Sequence, residues 1–321
     1  MTVTAIKQLT VPTPFAVGDA HIYLLEGETL SLIDAGVKTK EAWQALKAGL
    51  KEIGYYPNDI EQVILTHHHP DHNGLIEEFP RLKAVYGHPL NDVWLKRDES
   101  YFQRYEQFFA DLYERSGVPE SYKKFLKGLR EPLRFAGAGA LTGKLLEGDG
   151  LPGHEEFTVI ETPGHAQSHL SFYRKLDGAF IGGDHLLAHI SSNPLLEPPI
   201  NPGEERPKPL LQYRDALLKC LDLEIHNVYP GHGPIFQEVP DLIASRLEKQ
   251  KQRAEKVKEI LHGKKEKTVF QVCEHLFPRH IDKEFGLTMS ETIGQLDFLQ
   301  EHNKIVMSNQ NGVWEIRARI E

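Results

Sequence analysis

Four histidines and an aspartate stand within six positions, His67-His68-His69-Pro70-Asp71-His72, one residue (Thr66) after the apolar run Val63-Ile64-Leu65. That order fixes where the cluster can sit. A short buried strand must deliver it, so it lies in a turn at the end of a sheet. Imidazole and carboxylate are groups that a divalent cation accepts. Side chains alternate in an extended segment, so His67, His69 and Asp71 point one way and His68 the other. A turn after Pro70 would add His72. The motif then offers ligands to two adjacent metals rather than one.

Three later segments repeat the device. Thr162-Pro163-Gly164-His165, Gly182-Gly183-Asp184-His185 and Tyr229-Pro230-Gly231-His232-Gly233-Pro234 each follow strand-like residues and carry a ligand-type side chain in a glycine-containing turn. Glycine lets backbone bend sharply and approach an ion closely. Loops at one end of a rigid sheet can converge on a single site.

The remaining pattern is that of an α/β layered fold. His21 to Leu25 and Leu30 to Ile33 read as strands around the turn Glu26-Gly27-Glu28. Lys38 to Ile53 has helical spacing, with Ala42, Leu46 and Leu50 on one face. Leu75 to Phe79 reads as the opening of another helix and Ala84 to Tyr86 as a strand. Residues 91–129 are helical and aromatic, with Phe102, Tyr105, Phe109 and Leu112 recurring. They are read as a helical insert, packed on the core or serving as a lid. Strands resume at Phe157 to Ile160, Ser171 to Tyr173 and Ala179 to Ile181. From about Pro240 the chain is helical and charged. Residues 246–267 hold nine Lys/Arg against four Glu. The end reads as a strand pair, Lys304 to Met307 and Gly312 to Ile316, joined through Asn309-Gln310-Asn311. Helices followed by a terminal hairpin suggest a winged-helix-like domain. The expected domains are 1–239, with the insert, and 240–321.

Taken in order, the HxHxDH, TPGH, GGD and PGHG motifs resemble those of the metallo-beta-lactamase superfamily of hydrolases, and within it the glyoxalase II-like and RNA-cutting branches. The resemblance covers roughly residues 10 to 238, apart from the insert. It implies an αβ/βα sandwich with metals at one edge of two sheets. It also implies that His67, His69 and His165 hold one metal, that Asp71, His72 and His232 hold a second, and that Asp184 bridges them. The expected cofactors are two divalent ions, zinc first, with iron or manganese as alternatives. Such ions lower the pKa of bound water from about 15.7 to about 7. Asp71 would orient the hydroxide or accept its proton. His185, with His189 behind it, is the candidate for donating a proton to a leaving group or binding substrate. His169 and Asp34 are expected to support the ligands, and His68 to point away. No cysteine takes a ligand position, unlike zinc beta-lactamases that use one.

The expected substrate is a small molecule with an ester, thioester or lactone bond. An endoribonuclease is the alternative, resting on the C-terminal domain. A metal-binding sensor or regulator on the same fold is a third reading, disfavoured by the complete ligand set. The formal net charge of -9 argues against a dedicated nucleic-acid binder. The two cysteines, Cys220 and Cys273, are in no metal-type spacing and suit a reducing compartment. Neither a signal-peptide pattern nor an apolar run of about 18–20 residues is read, so the expectation is a cytoplasmic protein with no membrane partner. A homodimer through the C-terminal domain is expected from its size and position alone.

Overall fold

The computed structural model describes residues 4–263 and 265–319. Lys264, counted in the basic stretch above, lies outside them. The strands are β1 (Ile6–Val11), β2 (Ala20–Glu26), β3 (Leu30–Ile33), β4 (Gln62–Ile64), β5 (Ala84–Gly87), β6 (Gly143–Lys144), β7 (Gly150–Leu151), β8 (His154–Glu161), β9 (Leu170–Arg174), β10 (Ala179–Gly183), β11 (Asn227–Pro230), β12 (Lys267–Thr268), β13 (Ile305–Gln310) and β14 (Val313–Ala318). The helices are α1 (Lys40–Glu52), α2 (Pro70–Asn73), α3 (Asn91–Leu95), α4 (Glu99–Arg115), α5 (Pro209–Cys220), α6 (Val239–Ile260), α7 (Val269–Leu276) and α8 (Phe285–Glu301). None of them is long and apolar enough to cross a membrane.

The chain forms two compact units, one of residues 1–98, 131–192 and 216–240 and the other of residues 99–130, 193–215 and 241–321. In the first, β1 to β6 form one sheet in sequence order, and a second sheet has the order β11-β10-β9-β8-β7. Burial on both faces of the first sheet explains the unbroken apolar run of β2. Ile22 and Leu24 pack outward, in one cluster with Ala42, Leu46 and Leu50 of α1. Tyr23 and Leu25 pack inward with Phe157, Val159, Phe172 and Ile181 of the second sheet. The period of two along the strand sorts these residues between the layers. Thr39 caps α1, its hydroxyl accepting from Ala42 N. This is the expected α/β sandwich of the metallo-beta-lactamase type.

In the second unit, Phe109, Leu112 and Tyr113 of α4 share one core with Val272, Phe285, Leu296 and Ile316. The aromatic segment from Glu99 onward therefore packs with the C-terminal residues, while α3, read as part of the same insert, belongs to the first unit. Sequence spacing shows that a helix has an apolar face but not which distant segment covers it. The basic stretch lies largely on α6, whose Ala254 and Val257 face the core. The terminal sheet has the order β12-β14-β13. Its hairpin turns at Asn311 and Gly312, with φ of 53° and 91°, not through Asn309 to Asn311. Both positions need positive φ, which an Asn-Gly pair accommodates. Leu75 to Phe79 opens no α-helix. Ile76–Glu78 is a single 3-10 turn.

Candidate metal centre

Strand direction gathers the donors. β8 and β10 both run antiparallel to β9, and β10 runs parallel to β11. β8, β10 and β11 therefore end at one edge, where they release His165, Asp184 and His232. β4 brings His67. Pro70 then opens the one-turn helix α2, with Asp71 and His72 inside it. Proline suits that first helical position because its missing N–H would have no partner there. The turn that the sequence required for His72 is thus present.

The donors fall into linked groups. His67, His69 and His165 each bring a ligand atom within 4.8 Å of the others, as do Asp71, His72 and His232; His67, His72 and Asp184 form a third such group. His69 Nδ1 lies 3.0 Å from His67 Nε2 and 2.9 Å from His165 Nε2. Asp184 stands between the two sides. Its Oδ2 is 3.4 Å from His165 Nε2 and 3.5 Å from His232 Nε2, and its Oδ1 is 3.4 Å from His72 Nε2. Asp71 Oδ2 is 3.4 Å from His232 Nε2.

Neighbouring groups fix which ring nitrogen faces inward. Thr66 donates its backbone N–H and its hydroxyl to the two oxygens of Asp34, at 2.7 and 2.8 Å. The Thr66 oxygen then accepts from His67 Nδ1 at 3.0 Å, leaving His67 Nε2 as a bare lone pair. His72 Nδ1 donates to Asp34 Oδ2 at 2.8 Å, and His232 Nδ1 donates to the Asp19 carbonyl at 2.7 Å. Asp34 holds a left-handed φ of 65°, uncommon outside glycine but tolerated by Asp. It thus supports both sides of the centre, as expected of it.

His169 supports the shared carboxylate. Its Nε2 accepts from Asp184 N at 3.0 Å, and its Nδ1 donates to Thr162 Oγ1 at 2.8 Å. Thr162 in turn meets Ser171 Oγ at 2.9 Å, and Ser171 donates to the Gly182 carbonyl at 3.3 Å. The chain ties the Thr162 turn to the Gly182 turn. Ser171 drew no notice in the sequence, because a lone serine in an apolar strand carries no motif. Gly231 is needed for closeness. A Cβ there would overlap Asp184 Oδ1 and the His72 ring.

Charge differs across the centre. Burial pushes His67 and His69 well below the usual histidine range, and the surrounding imidazoles add to it. For His72 and His232, burial acts downward but carboxylates outweigh it. Asp184, Asp34 and Asp71 hold His72 well above the usual range, and Asp184 and Asp71 lift His232 to about 10. Burial acts to raise Asp71 and Asp184, yet His72 and His232 keep both below the carboxylate range. The carboxylates therefore call for positive charge at this point. Among the described residues, His72 Nε2, His232 Nε2 and Asp184 Oδ1 are buried without a hydrogen-bond partner. An unpaired buried polar atom costs roughly 1–3 kcal/mol. A divalent cation supplies the partner and the charge at once, so the residues fit one.

The other sequence candidates sit apart from this group. His68 turns away, stacking on Trp94 with ring centroids 4.1 Å apart, and its Nδ1 meets Ser168 Oγ at 2.8 Å. His185 is fully buried, and burial pushes it down to about 3. His189 is exposed, its ring lying against Gly233. His21 binds the Gly233 carbonyl through Nε2 at 2.8 Å, and His154 Nε2 meets Ser31 Oγ at 2.7 Å.

Comparison with known proteins agrees with this geometry. The sequence pattern of the metallo-beta-lactamase superfamily matches residues 16–232. A probable metallo-hydrolase of Bacillus subtilis, YqjP, is 43% identical over 305 residues, 95% of each chain. An atrochrysone carboxyl ACP thioesterase of Claviceps purpurea is 19% identical over 247 residues, 77% of this chain and 61% of its own. The crystal structure of a metallo-beta-lactamase family protein from Thermus thermophilus superimposes with a TM-score of 0.78 at 26% identity, covering 98% of each chain. Donor residues converging at one edge of a two-sheet sandwich, and a family pattern spanning that sandwich, lead to one assignment: this chain belongs to the metallo-beta-lactamase superfamily.

Proposed function

We propose that the protein is a two-metal hydrolase that cleaves an ester, thioester or lactone bond in a small molecule. The observation that carries the reading is the position of Asp184, whose two oxygens face donors of both groups. His67, His69 and His165 would hold one cation, Asp71, His72 and His232 the other, and Asp184 would join them. Zinc is the first choice for imidazole and carboxylate donors, with iron and manganese as alternatives. When bound, two such cations supply hydroxide at neutral pH and share the charge on the attacked and departing oxygens.

The chain's own residues do the rest. Asp71, held ionised by His72 and His232, accepts a hydrogen bond or a proton from the attacking water. Asp34 and Thr66 aim His67 and His72. His169 holds the Asp184 backbone, so the shared carboxylate is set before substrate arrives. His185 follows Asp184 directly and is held neutral by its burial. The relative named as a thioesterase supports an acyl substrate.

The test is a parallel assay of the zinc-loaded protein on a thioester, a lactone and a fluorogenic RNA, with Asp71→Ala beside it. The reading expects turnover of an ester-type substrate that the substitution abolishes, and about two metals per chain by elemental analysis. RNA turnover that Asp71→Ala abolishes, with none on ester-type substrates, would replace it with the endoribonuclease reading. A metal content near one would remove the bridging part of Asp184.

A further inference from the structure

We propose that the C-terminal unit carries a second ligand site, for an amphipathic monocarboxylate. A cavity of about 520 Å³ lies wholly within that unit. Pockets of roughly 300–1,000 Å³ hold drug-sized molecules. Its apolar lining comes from Val269 of α7, Ile293 and Leu296 of α8 and Met307 of β13. The first three are core residues of the unit. The cavity thus opens onto the side of a packed core, and an apolar body placed there gains contact on several sides.

Trp314 of β14 forms part of the wall, and the Arg115 guanidinium lies 5.7 Å from its ring centroid. Stacking on an indole face fixes the plane of a guanidinium while leaving its edge N–H groups free. Among the described residues Arg115 has no carboxylate within ion-pair distance. The other cations of the lining differ. Arg206 is held by both oxygens of the buried Asp297, at 2.6 and 2.8 Å. Lys208 lies 3.6 Å from Glu301. Arg115 is therefore the cation left to receive a ligand, and its fork matches a carboxylate.

Glu205 at the same lining sets the limit on charge. One unpaired guanidinium, with a carboxylate elsewhere in the same wall, accommodates a ligand with a single negative charge and disfavours a phosphate dianion. The ligand chemistry is thus a carboxylate on an apolar, preferably planar, body. The inference stands apart from the proposed hydrolysis, since no residue of the metal centre takes part.

The experiment is isothermal titration of chelator-stripped protein with 2-naphthoate, beside 2-naphthol and 2-naphthyl phosphate. The expected result is saturable, one-to-one naphthoate binding, at least tenfold weaker for each of the other two probes. Arg115→Gln is expected to weaken naphthoate binding by about tenfold or more, the loss of one charge-assisted pair, and Arg115→Lys to restore part of it. Met307→Trp, which fills the cavity, is expected to block binding. Melting curves check that each variant is folded. No saturable naphthoate binding, binding that appears only after zinc is restored, or binding unchanged in both Arg115→Gln and Met307→Trp would overturn the proposal.

Discussion

The two halves of the metal centre use the same residue types and reach opposite charge states. His67 and His69, with His165, form a cluster of imidazoles, and burial leaves the first two neutral with lone pairs aimed inward. Across Asp184, His72 and His232 face Asp34, Asp71 and Asp184, which hold them protonated. One half is ready for a cation. The other already carries positive charge in the form of protons, and a metal must displace them. Metal affinity at such a site depends on pH because ligand protons compete. The carboxylates rather than the histidines make the difference.

The largest effect is expected where the halves join. Asp184→Ala removes the shared carboxylate and leaves His72 and His232 facing only Asp71 and Asp34. We expect activity to fall on the order of 10³-fold, the scale of losing one strong electrostatic contact at the reacting centre, and metal content to fall from about two to one. Activity within tenfold of the parent, with metal content unchanged, would show that the halves do not depend on one another.

The next effect separates the halves by pH in the chelator-stripped protein. His232 is raised from 6.5 to about 10 in the folded chain. A raised group contributes stability that is complete below 6.5 and is lost as pH rises through about 10. His67 and His69 are lowered below 6.5, so their protonation favours unfolding as pH falls below that value. The stripped protein is therefore expected to lose on the order of 4 kcal/mol between pH 6.5 and 10 through His232 of the carboxylate half, and to lose stability below 6.5 through the imidazole half. A cation bound there would replace the His232 proton, so the zinc-loaded protein should show a flatter alkaline limb in melting temperature. Equal alkaline slopes with and without zinc would remove the charge contrast.

Asp34→Asn gives a smaller and more selective effect. Asn tolerates the left-handed backbone of position 34, so the fold is kept, but the charge behind His72 is lost. We expect metal affinity of the carboxylate half to drop by about 10- to 100-fold, as for other groups that orient a ligand. The imidazole half should change less, since an amide still bonds Thr66. Zinc titration with a competing chelator measures both steps, and an equal loss in both would show that the charge of Asp34 acts as strongly through Thr66 on His67 as directly on His72.

These contrasts were only partly legible in the sequence. The seven donors stood out because metal chemistry needs rare residue types in turns, and the turns announce themselves with glycine and proline. Asp34 and His169 were expected as supports only through the resemblance to the superfamily, since neither residue alone announces such a part. Thr66 and Ser171 were not, since a hydroxyl matters here only through its distance from a ring nitrogen. The protonation contrast was hidden for the same reason. It arises from where Asp34, Asp71 and Asp184 meet in space, and they are far apart in the chain. In the second unit the aromatic spacing of α4 gave the helix, but its partners lie some 150 residues later and leave no local trace.

The smallest effect is expected at the histidine of the motif that belongs to neither half. His68 stacks on Trp94 and bonds Ser168, and its backbone carbonyl accepts from Asn73 at 2.6 Å. His68→Phe keeps a flat ring for the stack and removes only the bond to Ser168. The loss should be about 1 kcal/mol of stability, with metal content unchanged and activity within a few-fold. His69→Phe, one position on, should lose metal from the imidazole half, because Nδ1 of that ring faces both His67 and His165. Adjacent substitutions of the same kind then differ only in the side of the strand end on which the ring falls. Equal loss of metal in both would mean that the loop moves as a unit, and that the alternation read from the sequence does not decide which histidines bind.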